Sequence, residues 1–236
     1  MVEDGAVAEI EGSIYGDVNK TSTRHNLNDV KLLAPCEPSK VLAVGLNYAS
    51  HLGGRKKPEV PGIFFKTLTS LLDPEGTIVL PRDAGLVEHE GELVIVMGRQ
   101  AKSVSKEDAL DYVLGYTAGN DVSCRPWQRG DLQWWRAKGA DTFGPLGPII
   151  NTEVDPFNTN LAVRINGETV QEGNTSDLIF DVPTIISFIS SVMTLQPGDV
   201  IYTGTPGVPG STKDGDTVEV EVQGVGVLRN YVADEG

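Results

Sequence analysis

Val87-Glu88-His89-Glu90-Gly91-Glu92-Leu93-Val94-Ile95-Val96-Met97-Gly98 is the stretch on which the reading of this chain turns. Its second half is an unbroken apolar run closed by a glycine, the pattern of a short buried strand. In a strand, residues i and i+2 point to the same face, about 7 Å apart. Glu90 and Glu92 therefore reach toward one point at the mouth of the run. A third acid, Asp121, follows in Gly115-Tyr116-Thr117-Ala118-Gly119-Asn120-Asp121-Val122-Ser123. Carboxylates that converge near a core repel one another and desolvate badly unless a cation lies between them. An all-oxygen set of this kind suits Mg²⁺ or Mn²⁺, with Ca²⁺ also accommodated, rather than zinc. Three solvated surface acids are the plainer alternative, because 33 acidic residues make chance pairs common.

Outward from this stretch the chain reads as mostly β with a few short helices, an α+β class. Residues 41–44, 93–97, 161–165, 200–202, 217–222 and 225–228 are short apolar or alternating runs separated by Gly, Pro, Asn and Asp. Asn166-Gly167 and Gln223-Gly224 read as hairpin turns. Ser105-Lys106-Glu107-Asp108 resembles a capping box and predicts a short helix through about Leu114. Asp181-Val182-Pro183 predicts a second helix with Ile185, Ile186, Ile189, Val192 and Met193 on one face, ended by Pro197-Gly198. The 27 glycines and 14 prolines are dispersed, so they mark turns rather than a linker. Lys40 begins a more hydrophobic run. The expected division is a small N-terminal β appendage, 1–38, and a main domain, 39–236.

A net charge of -14 argues against nucleic acid and anionic membrane surfaces as partners. It does not argue against an anionic substrate, since a cation and a few basic residues can reverse the field inside one pocket. No run approaches the roughly 20 apolar residues of a membrane span. The acidic Met1-Val2-Glu3-Asp4-Gly5 lacks the pattern of a signal peptide. Cys36 and Cys124 alone make no disulfide framework and read as reduced thiols. The expectation is a cytoplasmic protein.

Seven motifs, in order, resemble the fumarylacetoacetate hydrolase family. They are Val44-Gly45-Leu46-Asn47-Tyr48-Ala49-Ser50-His51, Phe64-Phe65-Lys66, His89-Glu90-Gly91-Glu92-Leu93, and residues 115–128, 138–148, 166–168 and 196–206. The resemblance runs from about Val41 to the C-terminus. It implies a mixed β-sandwich roll, a homodimer, and a divalent metal held by Glu90, Glu92 and Asp121. It also implies a small 2-oxo acid or its enol as substrate. Members hydrolyse acylpyruvates and fumarylacetoacetate, decarboxylate oxaloacetate or a tricarboxylate of aromatic catabolism, or isomerise a hydroxydienoate such as 2-hydroxyhepta-2,4-diene-1,7-dioate. Trp134-Trp135-Arg136-Ala137-Lys138-Gly139 is most similar to the homoprotocatechuate branch.

Within that resemblance, Lys138 is expected beside the carboxylates or at a substrate enolate. Arg125 and Gln128 are expected to hold the substrate's distal polar end, an arginine fork suiting a carboxylate. Pro126 stands where relatives often carry an acid. Thr205, in Thr203-Gly204-Thr205-Pro206, belongs to a turn whose amides and hydroxyl could receive a carboxylate. Lys66 and Tyr116 are further substrate-binding candidates, with strand capping or core packing as the alternative. His89 abuts the acids, although alternation puts it on the opposite face. Trp127, Trp134 and Trp135 read as pocket wall or dimer contact.

His51 bears on the reaction type. In the hydrolases it works with a glutamate three residues later to activate water, and here that position is Gly54. Unless Glu59 or another acid moves in from the Gly-, Lys- and Pro-rich loop 52–61, the dyad is incomplete. A lone His51 can still move a proton in decarboxylation or tautomerisation. The expected enzyme is thus a metal-dependent lyase or isomerase, with a C–C hydrolase or a catalytically weakened metal-binding protein as alternatives.

Overall fold

The run at 93–97 lies inside a strand, Gly91–Met97, in which every residue is buried. The computed structural model describes residues 1–3 and 5–236. Strands β1 (Val2–Glu3), β2 (Ala6–Gly12) and β3 (Val18–Asn26) form a sheet of their own. There follow β4 (Val41–Gly45), β5 (Gly62–Lys66), β6 (Leu71–Leu72), β7 (Thr77–Leu80) and β8 (Val87–Glu88). Next come β9 (Gly91–Met97), β10 (Val113–Asn120) and β11 (Ser123–Cys124). Helices α1 (Arg125–Gly130) and α2 (Trp135–Gly139) precede β12 (Gly144–Asn151), β13 (Asn160–Ile165) and β14 (Glu168–Asn174). Helix α3 (Val182–Val192) leads to β15 (Val200–Tyr202), β16 (Thr217–Val222) and β17 (Gly226–Asp234).

Two large sheets carry the core. A seven-stranded sheet runs β5-β4-β15-β9-β10-β12-β6 and a five-stranded sheet runs β14-β13-β16-β17-β7. Strands β9, β10 and β12 of the first pack against β13, β16 and β17 of the second. Leu93, Ile95 and Met97 enter the core between the sheets with Val163, Val218 and Val220. Val94 and Val96 point the other way, into a second cluster with Val41, Ala43, Val200 and Tyr202. Burial on both faces is why β9 reads as a continuous apolar run rather than an alternating one. Gly91 lies where the sheets pack closely: a Cβ there would meet Val163 Cγ2 at 2.3 Å. That contact points Gly91 into the core and leaves Glu90 and Glu92 on the other face.

The fold class is mostly β, as read from the sequence. Asn166 and Gly167 both take positive φ, 52° and 85°, at the β13–β14 turn. Two helix readings need correction. The segment after Ser105 makes one 3-10 turn, Ala109–Tyr112, and the chain is already in β10 at Val113. Ser105 Oγ accepts from the Asp108 amide at 3.2 Å, but pairing of β10 with both β9 and β12 overrides the local helical signal. In α3, Asp181 caps the Thr184 amide and Ile185, Ile186 and Ile189 are buried. Val192 is 74% exposed instead, because the helix ends there and Met193 is extended. Cys36 and Cys124 are free and buried. Among the described residues no helix is long and apolar enough to cross a membrane.

Candidate functional site

The antiparallel register of β9 and β10 pairs Gly91 with Asn120 and Glu92 with Gly119. One step further, the Asp121 amide donates to the Glu90 carbonyl at 2.8 Å. Asn120 Oδ1 accepts from the Glu90 amide at 2.9 Å and ties the ladder's end. Three carboxylates from two strands thus converge: Glu90, Glu92 and Asp121 each offer an oxygen within 4.8 Å of the others. Their exposures are 4%, 2% and 1%. Three hard, anionic oxygen donors in so small a buried volume suit a divalent ion such as Mg²⁺, Mn²⁺ or Ca²⁺.

Three cationic side chains surround the acids. Lys138, at the end of α2, donates to Glu90 Oε2 and, at 2.6 Å, to Asp121 Oδ2. Lys66, the last residue of β5, donates to Asp121 Oδ1 at 2.7 Å and to the Lys138 carbonyl. Arg125 donates to Glu90 Oε1 at 2.5 Å, to Glu88 Oε2 at 2.5 Å and to Gln128 Oε1 at 2.8 Å. The acids respond unequally. Burial disfavours the Glu90 charge, yet Lys138 and Arg125 hold that carboxyl well below the usual carboxylate range. Burial, then Asp121 and Glu90, push Glu92 well up; Glu92 Oε2 has the Gly204 amide, at 2.6 Å, as its partner. Burial lowers Lys66 despite Asp121, whereas for Lys138 the pull of Asp121 and Glu90 outweighs burial and raises it.

Above the acids opens a cleft of about 420 Å³, walled by His51, Arg55, Phe64, Arg125, Gln128, Arg129, Trp134, Lys138 and Thr205, among others. His51 Nδ1 bonds the Gly207 carbonyl at 2.8 Å. A carbonyl only accepts, so Nδ1 carries the hydrogen in the neutral ring and the lone pair sits on Nε2. That nitrogen lies 3.8 Å from Glu90 Oε1. Glu59 does not replace the acid missing at Gly54: it is exposed and pairs with Lys56 at 3.0 Å. Phe64 and Trp134 make an edge-to-face wall, centroids 5.3 Å apart. A wider groove of about 800 Å³ lies over β13 and β14, but its Arg164 is engaged by Glu221 while Glu172 and Asp177 face solvent.

Several expectations change here. Arg125 lines the cleft, and each of its three guanidinium nitrogens already donates to a protein acceptor, so it braces Glu90 and Glu88 and keeps only its remaining terminal N–H groups for a ligand. Lys66 is fully buried behind Asp121, and Tyr116 lies in the core between the sheets; neither lines the cleft, so their expected contact with substrate is not supported. Both are strand residues, Lys66 ending the edge strand β5 and Tyr116 within β10, and their side chains alternate between faces that local sequence does not assign. Thr205 does line the cleft. Its hydroxyl already donates to the Gly91 carbonyl at 2.9 Å and accepts from Gln171 at 2.8 Å, while the Gly204 amide serves Glu92. The turn therefore builds the acid cluster more than it leaves amides open. His89 points away, its Nε2 accepting from the Gly210 amide at 3.3 Å; burial pushes it down to about 4 and keeps it neutral.

Arg55 and Arg129 were missed by the sequence reading. Both line the cleft and are exposed, and neither guanidinium has a protein partner among the described residues. Arg129 stands four residues after Arg125 on α1, a spacing that places both on one helical face. Nothing local marked Arg55.

A mostly β roll with three buried carboxylates at the end of its central strand pair defines a class, and the chain belongs to the fumarylacetoacetate hydrolase family of enzymes. The family's C-terminal domain, fumarylacetoacetate (FAA) hydrolase C-terminal, matches residues 40–233, and residues 1–35 match the Rv2993c-like N-terminal family. The chain is similar to 5-carboxymethyl-2-hydroxymuconate delta-isomerase from Mycobacterium smegmatis, with 48% identity and a TM-score of 0.92 over 98% of this chain and 90% of that one. It is 40% identical to the human mitochondrial oxaloacetate tautomerase FAHD2A over 87% of this chain and 70% of the relative. It also resembles maleylpyruvate hydrolase from Sphingobium sp. SYK-6, solved with manganese(II) and pyruvate, at 36% identity and a TM-score of 0.79, over 91% and 78% of the two chains.

Proposed function

We propose that this chain is a divalent-metal-dependent enzyme that acts on a small 2-oxo diacid, or its 2-hydroxy-dienoic counterpart, through an enolate. Keto–enol isomerisation or decarboxylation fits better than hydrolytic C–C cleavage. The observation that carries this reading is the convergence of Glu90, Glu92 and Asp121 beneath a histidine whose free lone pair faces the cleft. Glu90, Glu92 and Asp121 would hold the ion. Once bound, it would polarise the 2-oxo carbonyl and stabilise the enolate.

The chain's own groups have distinct tasks. His51 Nε2 takes or returns the proton at the carbon next to the carbonyl. Its Nδ1–H is oriented by the Gly207 carbonyl, where a general-base dyad would have a carboxylate. A carbonyl fixes the tautomer but stabilises an imidazolium less than an anion does. That favours a proton shuttle over activation of a nucleophilic water. Lys138, buried beside the acids and 5.1 Å from the Phe64 ring centre, supplies positive charge to the developing oxyanion. Arg55 and Arg129 take the far carboxylate, since Arg125 is committed to Glu88 and Glu90 while their guanidinium groups are free, and Gln128 supports them through its amide.

The isomerase and tautomerase relatives support proton transfer; the maleylpyruvate hydrolase relative supports hydrolysis as a second reading. One assay separates them. The decay of enol-oxaloacetate, and pyruvate and CO₂ release from oxaloacetate and acetylpyruvate, are followed with Mg²⁺ or Mn²⁺ and then with EDTA. Metal-dependent enol decay or CO₂ release from oxaloacetate is expected. Pyruvate from acetylpyruvate alone would establish the hydrolase. Silence on every substrate would favour a longer dienoate or a site that binds without turnover.

A homodimer is part of the same proposal. β5 is an edge strand, and beside it Phe65, Leu132 and Trp135 are 52%, 100% and 65% exposed. This apolar surface shares Phe64 and Trp134 with the cleft wall, so a second copy seated there would adjoin the site.

A further inference from the structure

Four of the six oxygens on Glu90, Glu92 and Asp121 already accept hydrogen bonds from Lys66, Lys138 and Arg125. A divalent ion must share those oxygens with cations that stay in place, because Lys66 and Lys138 are buried and have no solvent to retreat into. In formal charge Glu88, which shares Arg125, and the three acids carry four negative charges, against five positive charges on Lys66, Lys138, Arg125 and the cleft's Arg55 and Arg129. A divalent ion alone therefore leaves a large excess of positive charge around the pocket, which disfavours its uptake. A ligand with two negative charges and two adjacent oxygens would offset most of that excess and add to the ion's coordination. Without the cations the balance would be reversed, and the loaded centre would repel a dianion.

We infer that this centre takes up its divalent ion and a dianionic chelating ligand cooperatively, each raising the site's affinity for the other, with buried Lys66 setting the charge that couples them. The coupling is reciprocal, as linkage requires. Lys66 does not line the cleft, so it acts through Asp121 as a positioning residue. The inference rests on the metal reading above.

Mn²⁺ binding to the full chain, read by EPR at fixed free Mn²⁺, tests it with oxalate as the dianionic probe and acetate as the monoanionic control. Oxalate should tighten Mn²⁺ binding by at least about tenfold, and acetate should not. In Lys66→Met, Mn²⁺ alone should bind more tightly than in the parent, and the gain from oxalate should be smaller than the parent's by about threefold or more. A purely structural Lys66 would weaken both measurements together and preserve their ratio, which overturns the inference. So would a parent protein that binds Mn²⁺ equally with and without oxalate, although the metal reading would then survive. Absence of Mn²⁺ binding under either condition would overturn both. Should Lys66→Met not fold, Arg125→Gln, which borders the cleft, tests the same loss of coupling.

Discussion

Asp121 lies directly across the antiparallel ladder from Glu90, its amide 2.8 Å from the Glu90 carbonyl, so the two carboxylates leave adjacent strands on one face. Their surroundings differ from those of Glu92. Both oxygens of Glu90 and of Asp121 are held by cationic side chains, whereas the partner of Glu92 is the backbone amide of Gly204. The three proposed ligands should consequently fail in different ways when removed.

Glu92→Gln leaves no cation unpaired. Mn²⁺ binding should weaken by more than about tenfold, since affinity follows ligand charge, while the melting temperature holds. Glu90→Ala should lose metal and turnover as well, but it takes one of two acidic partners from both Lys138 and Arg125 beside a buried gap, at a cost approaching about 3 kcal/mol. Calorimetry together with Mn²⁺ titration checks the pair. Unchanged metal binding in Glu92→Gln would remove it from the ligand set.

Arg55→Ala and Arg129→Ala should each raise KM for oxaloacetate by about tenfold or more, the loss expected for a hydrogen bond to a charged group. Acetylpyruvate, which has no second carboxylate, should be affected little. Steady-state kinetics on both substrates decides this; equal effects on the two would assign these arginines to general electrostatics.

Gly54→Glu restores an acid where the hydrolases of this family have one. Gly54 takes φ 82° in open space, a Cβ meeting nothing within 4 Å, so the side chain fits while the backbone is strained by about 1–2 kcal/mol. Acetylpyruvate hydrolysis should rise relative to turnover of oxaloacetate. Initial rates of pyruvate release measure it, and an unchanged ratio would mean that the base comes from elsewhere.

Burial, with a smaller contribution from Asp199, pushes the Cys36 thiol up to about 12 from its ordinary 9.0. The folded state therefore holds that proton more tightly than the unfolded chain does. The associated stability is complete below pH 9.0 and is lost as pH climbs toward about 12. Cys36 should be silent to a disulfide exchange reagent at pH 8 and react on denaturation. A fast thiol titre in the native state, traced to Cys36 by mass spectrometry, would contradict the burial seen here.

Trp135→Glu introduces a charge into the exposed apolar surface beside β5. If that surface seats a second copy, light scattering should find a dimer for the parent and a monomer for the variant. A monomeric parent would leave the patch without this role.

Much of the site was legible in the chain because its determinants are local. Alternation alone aims Glu90 and Glu92 together, and an unbroken apolar run can only be a strand buried on both faces or a buried helix, which its length decides. The cap at Asp181 and the Asn166-Gly167 turn are equally local. What alternation could not supply was the partner of each side chain. Lys66 and Tyr116 sit in strands whose inward and outward faces are set by neighbours far along the chain. Arg125 looked free because Glu88 and Glu90 meet it only through a strand pairing, and Arg55 comes to the cleft from a loop with no periodic pattern. That Glu90 and Glu92 meet was written in residue type and spacing. Which cations neutralise them, and which are left for a substrate, depended on long-range packing, because a charge's partner is decided by proximity in space.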